Sequence, residues 1–225
     1  MIVYEEYPFF QDRADAGERL AERLDRYQGG EVIVLAIPRG GVPVAIKVAD
    51  ELEAALDVVV ARKITIPYNP EAGYGAVTED GTIVLNEPLV DRLGLTEHQI
   101  QHQVEQVRAE IARRGAIYRS KLPVTSVEGK TAIIIDDGLA SGFTMIAAVE
   151  SAQRRKAAKI VVAVPVASGA AYDLVKTLAD ELVSLVIART QGFAVASFYH
   201  HWYDLTDEEV IQYLEGWRTR HSVSI

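Results

Sequence analysis

Cysteine is absent from the 225 residues of this chain, and methionine and tryptophan occur only twice each. The absence of cysteine excludes a disulfide framework, and it excludes thiolates as nucleophiles or metal ligands. No apolar run approaches the about 20 residues that a membrane span requires. Residues 1–10 also lack the basic segment and apolar core of a secretory signal. The default expectation is therefore a cytoplasmic protein with no membrane partner.

Basic charge is also in deficit, because 32 acidic residues against 23 lysines and arginines give a net charge of −9. An acidic chain disfavours nucleic acid as a partner, since non-specific binding relies on a basic surface. Hydrophobic residues make up 49% of the chain, which is enough for a substantial buried core. The length suits a single domain, either one large core or one core with a small accessory unit.

Short apolar segments alternate with helical patterns along most of the chain. Near-continuous apolar runs are typical of parallel strands that are buried on both faces. Strands are predicted at 31–37, 57–61, 133–135, 159–166 and 182–187, and helices at 12–27, 44–52, 96–118, 170–178 and after Thr206. This alternation predicts an α/β fold with a doubly wound, mainly parallel sheet. Residues 64–91 interrupt it with proline, glycine, asparagine and tyrosine, and long excursions of this kind are often functional loops.

The most informative segment is residues 131–145, TAIIIDDGLASGFTM. Its isoleucines predict a buried strand, and Asp136 and Asp137 follow at the carboxyl end, where open α/β sheets bind ligands. Residues 140–144 are mostly small and would open a helix with backbone N–H groups and hydroxyls, an arrangement that suits a phosphate. A sugar phosphate fits both halves. The alternative is a solvated Asp-Asp-Gly turn before an ordinary amphipathic helix.

The segment resembles the phosphoribosyl pyrophosphate (PRPP) motif of the type I phosphoribosyltransferases. Asp136 and Asp137 match the acidic pair of that motif, and residues 141–144 (SGFT) match its phosphate loop at the same spacing. The resemblance implies Mg²⁺-dependent transfer of the 5-phosphoribosyl group from PRPP to a nitrogenous base, with release of pyrophosphate. It implies the type I fold in one domain, with a core at about 29–63 and 129–188, a lid or insertion at about 64–120 and a hood at about 189–225.

The resemblance also assigns roles to the residues of the motif. Asp136 and Asp137 are the catalytic candidates, and they would hold the ribose hydroxyls directly or through Mg²⁺. The 5′-phosphate would be held, together with this acidic pair, by Gly138, Leu139, Ala140, Ser141, Gly142, Phe143 and Thr144.

Two further segments resemble the pyrophosphate-binding parts of the family. Arg39, Gly40 and Gly41 follow the strand at 31–37, where the family loop often contains a strained or cis peptide bond. The alternative is an ordinary strand-to-helix turn. Of the basic pair that follows the strand at 57–61, we favour Lys63 over Arg62, because alternation sends the two side chains to opposite faces. The alternative for this pair is a solvated strand end.

The remaining expectations concern access to the site. Residues 68–79 lie where type I enzymes carry a flexible loop over PRPP, with Tyr74 and Glu79 as candidate contributors, but ordered β structure is equally compatible with the sequence. Phe198 and Tyr199 are candidates to stack on the base; the alternative is an aromatic cluster that seals the edge of the core.

The acceptor and the role are less constrained by the sequence. The 6-oxopurine enzymes of the family carry an aspartate in the phosphate loop, where this chain has Ala140. The Ala-Ser-Gly pattern is closer to that of the adenine enzymes, so a purine acceptor stays open. Type I relatives are commonly dimers, which makes a homodimer compatible with the resemblance. The competing class is a non-catalytic regulator that binds PRPP or a nucleotide on the same fold.

Overall fold

The computed structural model describes residues 9–67, 69–190 and 192–221. In chain order the elements are α1 (Arg13–Glu22), a short 3-10 helix (Asp25–Tyr27), β1 (Val32–Ala36), α2 (Gly41–Leu52), β2 (Ala55–Val58), β3 (Ala61–Ile66), β4 (Asn69–Thr78), β5 (Ile83–Leu85), α3 (Glu87–Leu93), α4 (Glu97–Arg119), β6 (Thr131–Ile135), α5 (Phe143–Arg154), β7 (Lys159–Ser168), α6 (Gly169–Val175), β8 (Glu181–Ala188), a second 3-10 helix (Val195–Phe198) and α7 (Asp207–His221).

The central sheet has five parallel strands in the order β2-β1-β6-β7-β8. Alternate side chains of its strands enter different cores: Val34 packs with residues of α2 and α7, whereas Leu35 packs with residues of α5 and α6. Every residue of β1 is buried, as expected for a strand covered on both faces. The prediction of a doubly wound parallel sheet is confirmed.

The sheet order reverses between β1 and β6. From β1 the chain passes through α2 to β2 on one side, and from β6 it passes through α5 to β7 on the other side. Two neighbouring strands whose connections leave in opposite directions open a crevice at their carboxyl ends, and ligands of such sheets bind there. Residues 37–41 and 136–142 form the two sides of this crevice.

Residues 61–85 form a separate antiparallel sheet in the order β3-β4-β5. The ring of Tyr74 is fully buried in it, and the Tyr74 hydroxyl donates to Gln103 on α4. Of the two alternatives for residues 68–79, the described part therefore has the ordered β structure; Tyr68 lies outside the described residues. The strand predicted at 57–61 was misplaced, because β2 ends at Val58 and β3 begins at Ala61. Residues 56–61 are all buried, so the apolar pattern of the sequence does not show where β2 ends and β3 begins.

Residues 61–119, which contain the antiparallel sheet and α4, are anchored to the central sheet at the C-terminal end of α4. The guanidinium of Arg119 pairs with the fully buried Asp57 of β2 and with Glu79 after β4. The N-terminus of α4 has a capping box formed by Thr96 and Gln99. No helix in the described ranges combines the length and the apolar character needed to cross a membrane.

Candidate active site

The acidic pair is half-buried at the carboxyl end of β6. The N–H of Asp137 donates to Oδ1 of Asp136 over 2.9 Å. Burial raises the pKa of Asp136, and the neighbouring Asp137 carboxylate raises it further. Burial also raises the pKa of Asp137, although the charge of Arg13 opposes this. Two carboxyl groups in these surroundings are poised to take up a cation or hydrogen-bond donors.

The turn between the acidic pair and α5 presents a row of unpaired donors. Within the described residues, the backbone N–H groups of residues 140–144 and the hydroxyls of Ser141 and Thr144 donate no hydrogen bond. Gly142 has a φ of +87°, a left-handed conformation that L side chains rarely adopt, and it lies directly before the first turn of α5. Unpaired N–H groups at a helix N-terminus attract an anion such as a phosphate.

The loop after β1 forms the other side of the crevice. The Pro38–Arg39 peptide bond is cis, as the resemblance implied for the pyrophosphate loop. Among the described residues, neither the N–H groups of Arg39 and Gly40 nor the Arg39 guanidinium makes a hydrogen bond or an ion pair. This loop therefore offers a cation and free backbone donors beside the acidic pair.

Two glycines let the loop lie directly against the end of β6. A Cβ atom on Gly40 would overlap the carboxylate of Asp137, and a Cβ on Gly41 would come 2.6 Å from the carbonyl oxygen of Ile135. The φ of Gly40 is −61°, which any residue adopts, so glycine is needed here for space and not for conformation. The result is that the Arg39 loop and the acidic pair are in contact.

Arg62 and Lys63, the basic pair on β3, lie in different surroundings. Arg62 pairs with Glu110 of α4 over 2.7 Å. Burial lowers the pKa of Arg62, and the charges of Arg114 and Arg39 lower it further, which places Arg62 within electrostatic reach of the pyrophosphate loop. The Cβ of Lys63 lies beside Gly73 of β4. Both basic residues thus remain candidates.

Sequence reasoning missed Arg13, which is bound directly to the acidic pair. Its Nε donates to Oδ2 of Asp137 over 2.9 Å, and its Nη1 donates to the carbonyl of Tyr203, also over 2.9 Å. Its guanidinium carbon lies 4.0 Å from the ring centroid of Trp202, and the residue is only 7% exposed. The sequence contains one indication that Arg13 is buried, because it lies on the same face of α1 as Ala16 and Leu20.

The structure does not support the expectation that Phe198 and Tyr199 stack on a base. Their exposed fractions are 2% and 4%, and Tyr199 packs against Phe10 and Trp202. The Tyr199 hydroxyl donates over 2.6 Å to the backbone carbonyl of Asp137. These rings form the aromatic cluster that seals the core edge, because an N-terminal segment at Phe10 pairs with Tyr199 and covers them.

The donor chemistry of the acidic pair fits Mg²⁺ in one specific way. No group of three histidine, cysteine, aspartate or glutamate residues suited to a metal occurs among residues 9–67, 69–190 and 192–221. Mg²⁺ prefers hard oxygen ligands, and it usually keeps several waters and is bound through one or two carboxylates together with substrate phosphates. Asp136 fits as such a carboxylate, whereas Asp137 is already paired with Arg13.

Comparison with known proteins identifies the family. A model of the phosphoribosyl transferase domain matches residues 4–197, and the chain belongs to this family. It is 41% identical over 212 residues to "Putative phosphoribosyl transferase Rv0571c" of Mycobacterium tuberculosis and to its counterpart MT0597 in a second strain, covering 92% of this chain. The chain spans about half the length of these curated relatives, since 46% of each is matched.

A solved structure resembles nearly the whole chain. The crystal structure of TT1426 from Thermus thermophilus matches with a TM-score of 0.77 and 36% sequence identity, over 93% of this chain and 99% of that one. The fold therefore agrees with the family that the motif at residues 131–145 indicated.

Proposed function

We propose that this protein transfers the 5-phosphoribosyl group of PRPP to a nitrogenous base in a Mg²⁺-dependent reaction that releases pyrophosphate. One observation carries the proposal: the Arg39 loop lies against the acidic pair at the carboxyl ends of β1 and β6, and the unpaired donors of residues 140–144 follow directly after that pair. A ligand with two hydroxyls between two phosphate groups matches that order of carboxylates, N–H donors and guanidinium.

Each residue then has a role in holding the donor. Asp136 and Asp137 bind the ribose hydroxyls, and residues 138–144 surround the 5′-phosphate. Arg39, Gly40 and Gly41 hold the pyrophosphate, assisted by Lys63. Mg²⁺, when bound, offsets the charge of the pyrophosphate, and Asp136 is the carboxylate that holds it.

The chain's own contribution to the reaction is positioning and electrostatics. The bond from the anomeric carbon to the pyrophosphate oxygen breaks, and the pyrophosphate leaves with the bonding electron pair. The bond from that carbon to a ring nitrogen forms, and the proton of that nitrogen is released to water. Positive charge develops on the ribose, and the carboxylates of the acidic pair stabilise it while fixing the ring. Arg39 stabilises the negative charge on the departing group. A purine is the acceptor class that we favour, and with Ala140 in the phosphate loop the loop supplies no acid or base to the purine ring.

The experiment is a calorimetric titration of the protein with PRPP and Mg²⁺, followed by assays of pyrophosphate release with a panel of purine and pyrimidine bases. We expect binding, and release with one acceptor. The variant Asp136→Asn with Asp137→Asn should lose binding, whereas Arg19→Met, on the exposed face of α1, should retain it. Binding without release for any acceptor would instead support a regulator, and no binding would refute the proposal.

A further inference from the structure

We propose that Arg13 is a positioning residue for PRPP, and that it acts by holding the Asp137 carboxylate in the orientation that meets the ribose. The inference rests on the proposed function, because it assigns a role within the same site. Arg13 lies on α1, 124 positions before Asp137, and it belongs neither to the PRPP motif nor to the pyrophosphate loop.

The guanidinium of Arg13 is fixed from three directions. The Tyr203 carbonyl accepts from Nη1, the Trp202 ring packs against the guanidinium, and Asp137 accepts from Nε. The planar fork of an arginine directs its N–H groups along set directions, so two fixed partners determine where the third bond points. Because Tyr203 and Trp202 hold Arg13 independently of the acidic pair, Arg13 dictates the position of the Asp137 carboxylate.

Further contacts remove the remaining freedom of Asp137. The backbone of Gly40 lies against its carboxylate with no room for a Cβ atom. The Tyr199 hydroxyl donates to its backbone carbonyl over 2.6 Å. The side chain of Asp137 is therefore held at Oδ2 by Arg13, whereas its Oδ1 makes no bond to Arg13.

Arg13 also makes the two carboxylates unequal. Asp137 is paired with a buried cation, whereas Asp136 forms no ion pair with any residue in the described ranges. A neutralised carboxylate is a poor ligand for a divalent cation but a good acceptor for a hydroxyl. Asp136 is thus the carboxylate left for Mg²⁺, and Asp137 is the one specialised for the sugar.

The test compares variants at Arg13 with a matched arginine of the same helix. Arg13→Met should raise the Kd of Mg²⁺-PRPP about ten- to a hundred-fold, the range for one lost hydrogen bond to a charged group. Arg13→Lys should give a Kd between those of the wild type and Arg13→Met. A lysine keeps the charge, but its ammonium group cannot bond Asp137 and Tyr203 together in the fixed geometry of a guanidinium. Arg19→Met should keep the wild-type Kd. Thermal unfolding of each variant first shows that it is folded at the titration temperature.

A double-mutant cycle separates positioning from a merely structural role. If Arg13 acts through Asp137, Arg13→Met should add little to the loss of affinity already caused by Asp137→Asn. Trp202→Leu removes the ring that packs against the guanidinium but leaves the bonds of Arg13 to Tyr203 and Asp137, so it should raise the Kd less than Arg13→Met does. A folded Arg13→Met protein with wild-type affinity, or independent effects that add in the cycle, would overturn the inference alone. A wild-type protein that fails to bind Mg²⁺-PRPP would overturn the proposed function as well.

Discussion

Replacing Gly40 by alanine tests the contact between the Arg39 loop and the acidic pair. At a position with ordinary backbone angles, a glycine-to-alanine change stabilises a protein by about 0.4–1 kcal/mol, because it restricts the unfolded chain. Gly40 has such angles, with φ of −61° and ψ of −32°. The added methyl would, however, overlap the Asp137 carboxylate. That carboxylate cannot retreat, since Arg13 holds it.

The expected sign is therefore destabilising. Forcing a methyl group into a packed site costs about 1–3 kcal/mol. The gain of about 0.4–1 kcal/mol offsets part of this cost and leaves a net loss of up to about 2.6 kcal/mol. In a chain of this length, 1 kcal/mol corresponds to about 2–4 °C in melting temperature, so Gly40→Ala should melt up to about 10 °C below the wild type. It should also weaken Mg²⁺-PRPP binding, because the Arg39 loop must move away from Asp137 to make room for the methyl group.

A second glycine provides the control. Gly216 lies inside α7, and its nearest neighbour for an added Cβ is Nη1 of Arg220 at 3.8 Å. Gly216→Ala should stabilise the protein by about 0.5–1 kcal/mol through helix propensity alone. Melting curves of both variants measure the difference in stability between them. If Gly40→Ala were as stable as Gly216→Ala, the described contact between Gly40 and Asp137 would be refuted.

Three other variants probe the charges of the protein. Burial raises the pKa of Asp136 in the folded state, so the folded protein takes up a proton as the pH falls through that pKa, and its stability should rise. Asp136→Asn should raise the melting temperature near neutral pH and reduce its dependence on pH. A melting temperature that depends on pH as in the wild type would contradict this prediction. Arg119→Met leaves the buried carboxylate of Asp57 without its closest partner and should cost about 3 kcal/mol in urea unfolding, with Arg19→Met as the surface control. Lys63→Met should raise the Kd of PRPP more than Arg62→Met does; if only Arg62→Met raises it, the assignment of Lys63 is wrong.

Local patterns determined the parts of the fold that sequence could predict. The apolar runs of the central strands, the capping box at Thr96 and the start of the last helix after Thr206 each depend on neighbours in sequence. The break between β2 and β3 did not follow from the sequence, because residues 58–61 are buried on both sides of it. Periodicity cannot distinguish one buried strand from two that meet end to end.

The candidate site shows the same division. The acidic pair and the phosphate turn are contiguous in the chain, so their chemistry was visible in residues 131–145. Arg13 and Tyr199 reach Asp137 from 124 and 62 positions away. An arginine on the apolar face of a helix indicates a buried partner, but only the fold identifies which carboxylate it meets. Tyr199 was assigned to a base for the same reason: its true neighbour, Phe10, lies at the other end of the sequence.

The unpaired N–H groups of residues 140–144 have a practical consequence for finding the acceptor. A ligand that binds only the folded state shifts unfolding by RT ln(1 + [L]/Kd), about 2.7 kcal/mol at a hundred-fold excess over Kd. The crevice holds unpaired donors and half-buried carboxylates, and a correct ligand would bind both together. The binding of such a ligand can therefore be detected from the melting temperature of the protein alone. A melting-temperature survey of nucleoside 5′-monophosphates in the presence of Mg²⁺ and pyrophosphate needs no assay of turnover, and it ranks the bases that these products carry by how much each product stabilises the folded protein.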